Sequence, residues 1–183
     1  IVQWAVGHPG LIAGVILGVL LQASLVVLFL AQAVSFRRVA SILLIVVAVA
    51  WASEALGSKT GFPFGAYHYT ATLQPQLLGV PLLIPLAWLM MLLPAWGVTE
   101  LILGQRANPL LFSALSGLAF TAWDFYLDPQ MVEWGFWAWD EPGGYFGIPW
   151  LNYLGWLFVS AIITAIFGRV DLPVGPLVIV YII

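Results

Sequence analysis

Residues 51–88 read WASEALGSKTGFPFGAYHYTATLQPQLLGVPLLIPLAW, joining the end of one long apolar run to the start of another. Glu54, one of the chain's few carboxylates, lies in the last turn of the first run. The loop that follows packs two Gly, one Pro, two Phe, two Tyr and a His into GFPFGAYHY, residues 61–69. The second run starts at Pro81. A plain connector between membrane spans is short and polar, so this loop reads as functional.

The rest of the chain shares its apolar character. Of 183 residues 63% are hydrophobic and only 7% charged, with a mean hydropathy of +1.06. Soluble domains carry about 25% charged residues, so the chain reads as one integral membrane domain over residues 1–183, with the lipid bilayer as its surroundings. A net charge of −3 selects no partner class, and nothing marks a nucleic-acid partner. The absence of Cys excludes disulfides, iron–sulfur clusters and thiol chemistry. The chain begins without Met and stops inside an apolar run, so both ends read as trimmed.

A span needs about 20 mostly apolar residues. Segments 11–34, 39–56, 81–103, 109–127 and 149–168 qualify, and a sixth begins near Leu172. The expected fold is all-α, a polytopic transmembrane helix bundle of at least six spans. Gly14 and Gly18 have the spacing that lets helices approach closely. Arg37, Arg38, Arg106 and Arg169 lie in the short connectors 35–38, 104–108 and 169–171, leaving Lys59 as the one cation elsewhere. The positive-inside rule therefore puts the short connectors in the cytoplasm. The long connectors, 57–80 and 128–148, fall on the non-cytoplasmic side of the cell membrane, together with Glu54, His68, Asp124, Asp128, Glu133, Asp140 and Glu141.

Tryptophan is distributed with the same asymmetry. Trp4, Trp51, Trp88, Trp123, Trp134, Trp137, Trp139, Trp150 and Trp156 fall in the outer half, and Trp96 alone does not. Aromatic belts form at both interfaces, so some of these rings anchor and others are expected to line a cavity opening toward the long connectors. An internal echo points to the same place. LLGVPLLIPLAW (77–88) and YFGIPWLNYLGW (145–156) share G-[VI]-P-x-L-x-x-L-x-W, each after a long connector that follows a carboxylate-bearing span. Pro81 and Pro149 suit the first turn of a helix. The pattern predicts a parallel span–loop–span repeat, with units at about 39–103 and 109–168, bringing Glu54 and Asp124 to one central site.

Asp124 and Asp128 are four residues apart and share a helix face. Pro129 disfavours helix at Asp128, so the segment is expected to end there, with Asp128 at the membrane edge and Asp124 just inside it. Ionisable groups within a membrane usually face a bundle interior or a watery cavity and serve function, which favours Asp124 and Glu54. Asp128-Pro129 reads equally well as a helix stop. His68, inside a Tyr-His-Tyr triplet, is a candidate proton carrier near neutral pH, and an interfacial hydrogen-bonding role suits it as well. Buried carboxyl groups close together favour retaining a proton, and rings of Trp and Tyr stabilise a developing cation through their faces. Acid beside an aromatic wall suits protonation of an alkene and capture of the carbocation. No phosphate-cradling or dinucleotide-binding Gly loop is present. His8 and His68 are too few for a histidine-rich iron site. Neither cofactor nor metal is expected, metal binding by Glu54, Asp124 and Asp128 being the weaker alternative.

The blocks E-A-L-G-x-K-T-G-F-P-F-G-x-Y-x-Y from Glu54, L-G-V-P-L-L-I-P-L-A-W, D-x-x-x-D-P and Y-F-G-I-P-x-x-N-Y-x-G-W, in this order, resemble the membrane carotenoid hydratase family. The resemblance covers nearly all of residues 51–156, whereas residues 11–49 share only an apolar character. It implies cofactor-free addition of water to the terminal double bond of an acyclic or monocyclic carotenoid, giving a tertiary 1′-hydroxyl. No catalytic residue is carried over from the family. The chemistry suggests Asp124 as proton donor and Glu54, with Asp128 or His68, as the group that holds and deprotonates water. Trp88, Trp123, Tyr67 and Tyr69 would face the cation. Asn152 would position the water, and Phe64 and Trp156 would complete the substrate wall. A membrane isoprenoid cyclase using the same acid, and a proton-coupled transporter, are the rival readings.

Overall fold

A computed structural model of the protein describes residues 2–104 and 108–183, with side chains from residue 9 onward. The Trp4 side chain and Arg106, both used above, lie outside the described residues. Among the described residues six helices follow in order: α1 (Val2–Ala33), α2 (Phe36–Thr60), α3 (Leu83–Leu103), α4 (Pro109–Glu133), α5 (Trp150–Phe167) and α6 (Val174–Ile182). The first five are long and apolar enough to cross a membrane, and they make this an integral membrane protein. The nine-residue α6, where a sixth span was expected to begin, packs against α3.

α3 is the central helix and touches α1, α2, α4 and α6. Every residue from Trp88 to Gly97 is buried, as expected of a helix that is apolar all round. α2 starts at Ser35, whose Oγ accepts from the Arg38 amide, and α4 starts at Asn108, whose side chain accepts from the Leu110 amide. Two sequence expectations fail. Among the described residues no neighbour comes within 4 Å of where a Cβ on Gly14 or Gly18 would sit, and α1 buries the stripe Leu11, Val19, Val26 and Leu30 instead. Nor does α4 end at Asp128. It runs through Pro129 to Glu133. Proline removes the amide that would serve the carbonyl four residues earlier, and here that carbonyl, Phe125 O, accepts from the Tyr145 hydroxyl at 3.3 Å.

The two long connectors pair with each other. Their strands β1 (Tyr67–Tyr69) and β4 (Trp137–Trp139) run antiparallel, Tyr67 opposite Trp139 and Tyr69 opposite Trp137. Each connector then makes a tight turn before its next helix. Leu78 and Gly79 have φ of 54° and 84°, and Phe146 and Gly147 have φ of 51° and 81°. Positive φ at both central positions is the signature of a type I′ turn. The first turn closes the hairpin of β2 (Gln76–Leu77) with β3 (Val80–Pro81). Below the loops, Trp88 stacks on Trp156 with centroids 4.6 Å apart, and Trp96 donates to Thr164 Oγ1 at 2.7 Å.

Candidate active site

Glu54, in α2, is 2% exposed and surrounded by donors. Trp88 Nε1 donates to Oε1 at 2.8 Å, Tyr69 donates to Oε2 at 2.8 Å, and the Tyr67 hydroxyl also donates to Oε2. A strand points alternate side chains to opposite faces, so Tyr67 and Tyr69 reach inward together. Burial, reinforced by Glu54, pushes both phenol groups well above their ordinary 10.0, which keeps them neutral donors. The same alternation turns His68 outward, where Nδ1 sits 2.8 Å from Asp140 Oδ1 on an exposed surface. The structure does not bring His68 to Glu54, Asp124 or Asp128.

α4 supplies the other pole. Asp124 and Asp128 are 0% and 1% exposed, so Asp128 is not at a solvated edge. Asn152, in the first turn of α5, donates Nδ2 to Asp128 Oδ2 and also to Asp124 Oδ2 at 3.1 Å. Trp137 Nε1 donates to Asp128 Oδ1 at 3.0 Å. Asp124 Oδ1 is buried and has no donor among the described residues. The one Asn152 amide nitrogen thus holds an oxygen of each aspartate and brings the two carboxyl groups together.

Between the poles lies a cavity of about 30 Å³, lined by Glu54, Tyr67, Tyr69, Trp88, Asp128, Trp137, Trp139, Asn152 and Trp156, with Ile84, Ala87 and Leu127. A water needs roughly 10–15 Å³ of such space, so the cavity is water-sized. Its aromatic floor is a stack of Trp88, Trp156 and Phe120, with Phe120 and Trp156 centroids 5.0 Å apart. Phe64 backs this wall, with centroids 6.3 Å from Trp88 and 6.4 Å from Trp156. Trp123 is elsewhere: its Nε1 donates to Tyr181 O of α6 at 2.8 Å. Asp124 stands behind Asp128 rather than on the cavity surface. Among the described residues, no group of three or more His, Cys, Asp or Glu is arranged to hold a metal.

The sequence places Trp137 and Trp139 among the outer tryptophans and by itself assigns neither to the site. The signal was present: Tyr67-His68-Tyr69 and Trp137-Ala138-Trp139 place an aromatic-x-aromatic triplet in each long connector.

With this geometry, the sequence profile of a family described as "Carotenoid biosynthesis protein" matches residues 14–172. The chain is 35% identical over 133 residues to bisanhydrobacterioruberin hydratase of Haloarcula japonica. That alignment covers 72% of this chain and 45% of the relative, so the chain spans less than half of the relative's length. No solved structure matches.

Proposed function

Since this chain belongs to the carotenoid biosynthesis protein family, we propose that it hydrates the terminal C=C of an acyclic carotenoid end group, giving a tertiary 1′-hydroxy carotenoid. The observation that carries the reading is the water-sized cavity with Glu54 on one side and Asp128 on the other, walled by aromatic rings. A transporter needs a continuous path, and a cyclase needs water kept out. This cavity is small and bordered by two carboxyl groups, an amide and two phenols.

In the proposed mechanism the Asp124–Asp128 pair shares one proton, and Asp128, which borders the cavity, delivers it to C-2′. The C1′=C2′ π electrons form the new C–H bond and leave a tertiary cation at C-1′. Trp88, Trp156 and Trp137 face that cation. The cavity water attacks C-1′, and Glu54 takes the proton released from the attached water. The net change is addition of one water. A proton returning from Glu54 to the aspartate pair resets the site. Compared with the sequence reading, Asp128 moves from the margin to the reacting position and Asp124 becomes its proton reserve.

The proposed architecture is a parallel repeat of units at about 39–103 and 109–168, with long connectors on the non-cytoplasmic side. The matching turns at Leu78-Gly79 and Phe146-Gly147 support it. So do the pairs Trp88–Trp156 and Trp96–Thr164, each joining positions 68 residues apart across α3 and α5. In a two-fold arrangement, residues near the axis meet their own equivalents. The β1–β4 ladder is likewise two-fold about its centre at His68 and Ala138, which are 70 residues apart, two more than the helix pairs.

The test is expression of the full-length protein in cells that make lycopene or γ-carotene, followed by mass analysis of the pigments. Gain of one water identifies a hydratase. A ring isomer of unchanged mass identifies a cyclase, and flux without pigment change identifies a carrier.

A further inference from the structure

With Phe64 in place the cavity has room for water but not for the isoprene terminus of a polyene, and its roof is tied to both carboxyl poles through Tyr67, Tyr69 and Trp137. A substrate dissolved in the bilayer must therefore arrive from the side. At the depth of the site, the lipid-facing flank of α2 and α5 carries a crevice of about 370 Å³, lined by Ala48, Ala52, Ser53, Leu56, Val159 and Ile162. It follows α2 from Ala48 to Leu56, eight rises or roughly 12 Å at about 1.5 Å each. The Ser53 hydroxyl is engaged by Ala50 O at 2.9 Å, so the lining offers an apolar surface with no polar group left over. On α5, Val159 shares a face with Asn152 and Trp156, seven and three residues away.

Phe64 is buried where α2 and α5 meet. Its ring is wedged between the two helices at glycines. A Cβ on Gly57 of α2 would come within 2.7 Å of Phe64 Cδ2, and one on Gly155 of α5 within 2.7 Å of Phe64 Cδ1. Gly57 lies one turn beyond Ser53, and Gly155 one turn before Val159, so the slot opens at the end of the crevice. The inner edge of the same ring meets Trp88, Trp156 and Tyr67, all cavity walls. Gly61 and Gly65, which flank the short loop carrying it, both have positive φ. A second groove, of about 520 Å³ and lined by Leu20, Ser24, Leu28, Leu43, Leu86 and Leu89, is larger. It lies across α3 from the site, since Leu86 and Leu89 face it while Ala87 and Trp88 face the cavity.

We infer that the α2–α5 crevice binds the polyene chain of the substrate, and that Phe64 gates the slot through which the chain's end group reaches the cavity. The inference rests on the hydratase reading for the identity of the ligand. The glycines at 57 and 155 are then a designed gap, wide enough for a planar ring and, once that ring swings out, for a planar conjugated chain of similar thickness.

The experiment uses the full-length protein in membranes with lycopene as probe. It reads conversion at equal amounts of folded protein, and quenching of tryptophan fluorescence by the bound polyene. Ala48→Phe and Ala52→Phe fill the crevice from lipid-exposed positions, and Ser24→Phe fills the rival groove. Conversion and quenching are expected to fall tenfold or more in the first two, on the order of what a mis-sized apolar pocket imposes, and to stay at the wild-type level in Ser24→Phe. Phe64→Leu is expected to convert faster, and an unchanged or slower rate overturns the gate. Wild-type behaviour in both crevice variants means that the crevice holds only bilayer lipid, and loss in Ser24→Phe instead puts the chain in the other groove. Either result overturns the proposal. If the wild-type protein adds no water, the hydratase reading fails, and quenching alone decides the crevice. It stands if Ala52→Phe abolishes quenching that the wild type shows, and falls if the wild type shows none or Ala52→Phe retains it.

Discussion

Asp124→Asn separates chemistry from folding because of how the two aspartates are held. Asp124 Oδ2 accepts one hydrogen bond, from Asn152 at 3.1 Å, and Oδ1 accepts none from the described residues. An asparagine can keep its oxygen toward Asn152 and put its amide where Oδ1 meets no donor, so no buried hydrogen bond is lost. The expected stability change is within about 0.5 kcal/mol, the range of substitutions that break no packing or network. Asp128→Asn differs. Both of its oxygens face donors, Trp137 Nε1 and Asn152 Nδ2, so the new amide must oppose one of them. That costs about 1–3 kcal/mol for an unsatisfied buried group. Turnover should fall in both variants, since either removes one member of the pair that shares the proton. Loss of a general acid typically costs 10²–10⁴-fold, or roughly 2.7–5.4 kcal/mol of barrier at about 1.36 kcal/mol per decade. The assay is carotenoid conversion per folded protein, beside thermal unfolding in detergent. Near-normal turnover in Asp124→Asn refutes the shared-proton acid. Wild-type stability in Asp128→Asn refutes the hydrogen-bond assignment around it.

Three further expectations follow from the same geometry. Tyr67 and Tyr69 hold their protons past 10.0 in the folded protein, whereas the unfolded chain releases them there. Stability should thus decline as pH rises above about 10, and Tyr67→Phe should flatten that decline in thermal unfolding measured on either side of it. Trp88→Phe removes a donor to Glu54 and part of the stack on Trp156. It should cost roughly 1–3 kcal/mol in stability and slow conversion with binding retained, and unchanged kinetics would remove Trp88 from the cation wall. Cysteines at the exposed positions of Lys59 and Glu141 should react with an impermeant thiol reagent outside intact cells, and one at Ser35 should not. The opposite labelling pattern inverts the orientation.

The sequence made Glu54 and the aspartates conspicuous because a carboxyl within an apolar span must be used or satisfied. It made Trp88 and Trp156 conspicuous because they end the two echoing blocks. What it hid depends on phase and on distant pairing. His68 and its flanking tyrosines are consecutive, and only the β1–β4 ladder decides which face each takes. The partner strand comes from the other connector, so no local pattern announces that Trp137 reaches Asp128. Trp123 adjoins Asp124 in sequence, yet a step of one residue turns about 100° around a helix and sends its indole to α6. Pro129 was read as a stop because its effect on Phe125 O is local, while the Tyr145 hydroxyl that repairs it comes from 20 residues on.

Hydration gives the two poles of the site different tasks, because one group must give a proton to the alkene while another receives a proton from water. In the proposed repeat, Ile84 and Asn152 occupy equivalent positions, as do Tyr67 with Trp137 and Tyr69 with Trp139. At each of these pairs the two halves differ in hydrogen-bonding character. The first half gives Glu54 two hydroxyls and an indole, all donating. The second gives its carboxyls an indole and one amide to share, and leaves an oxygen of Asp124 without a donor. A fully surrounded carboxylate is suited to accept a proton from water, and an under-supplied pair is suited to hold one until an alkene takes it. Asn152 is the residue on which this difference turns. Asn152→Ile, which restores the residue of the first half, should abolish hydration even where the bundle still folds, because both aspartates then lose the amide they share. Retained conversion in that variant would mean that the two halves need not differ there, and that the division of acid from base lies elsewhere in the cavity.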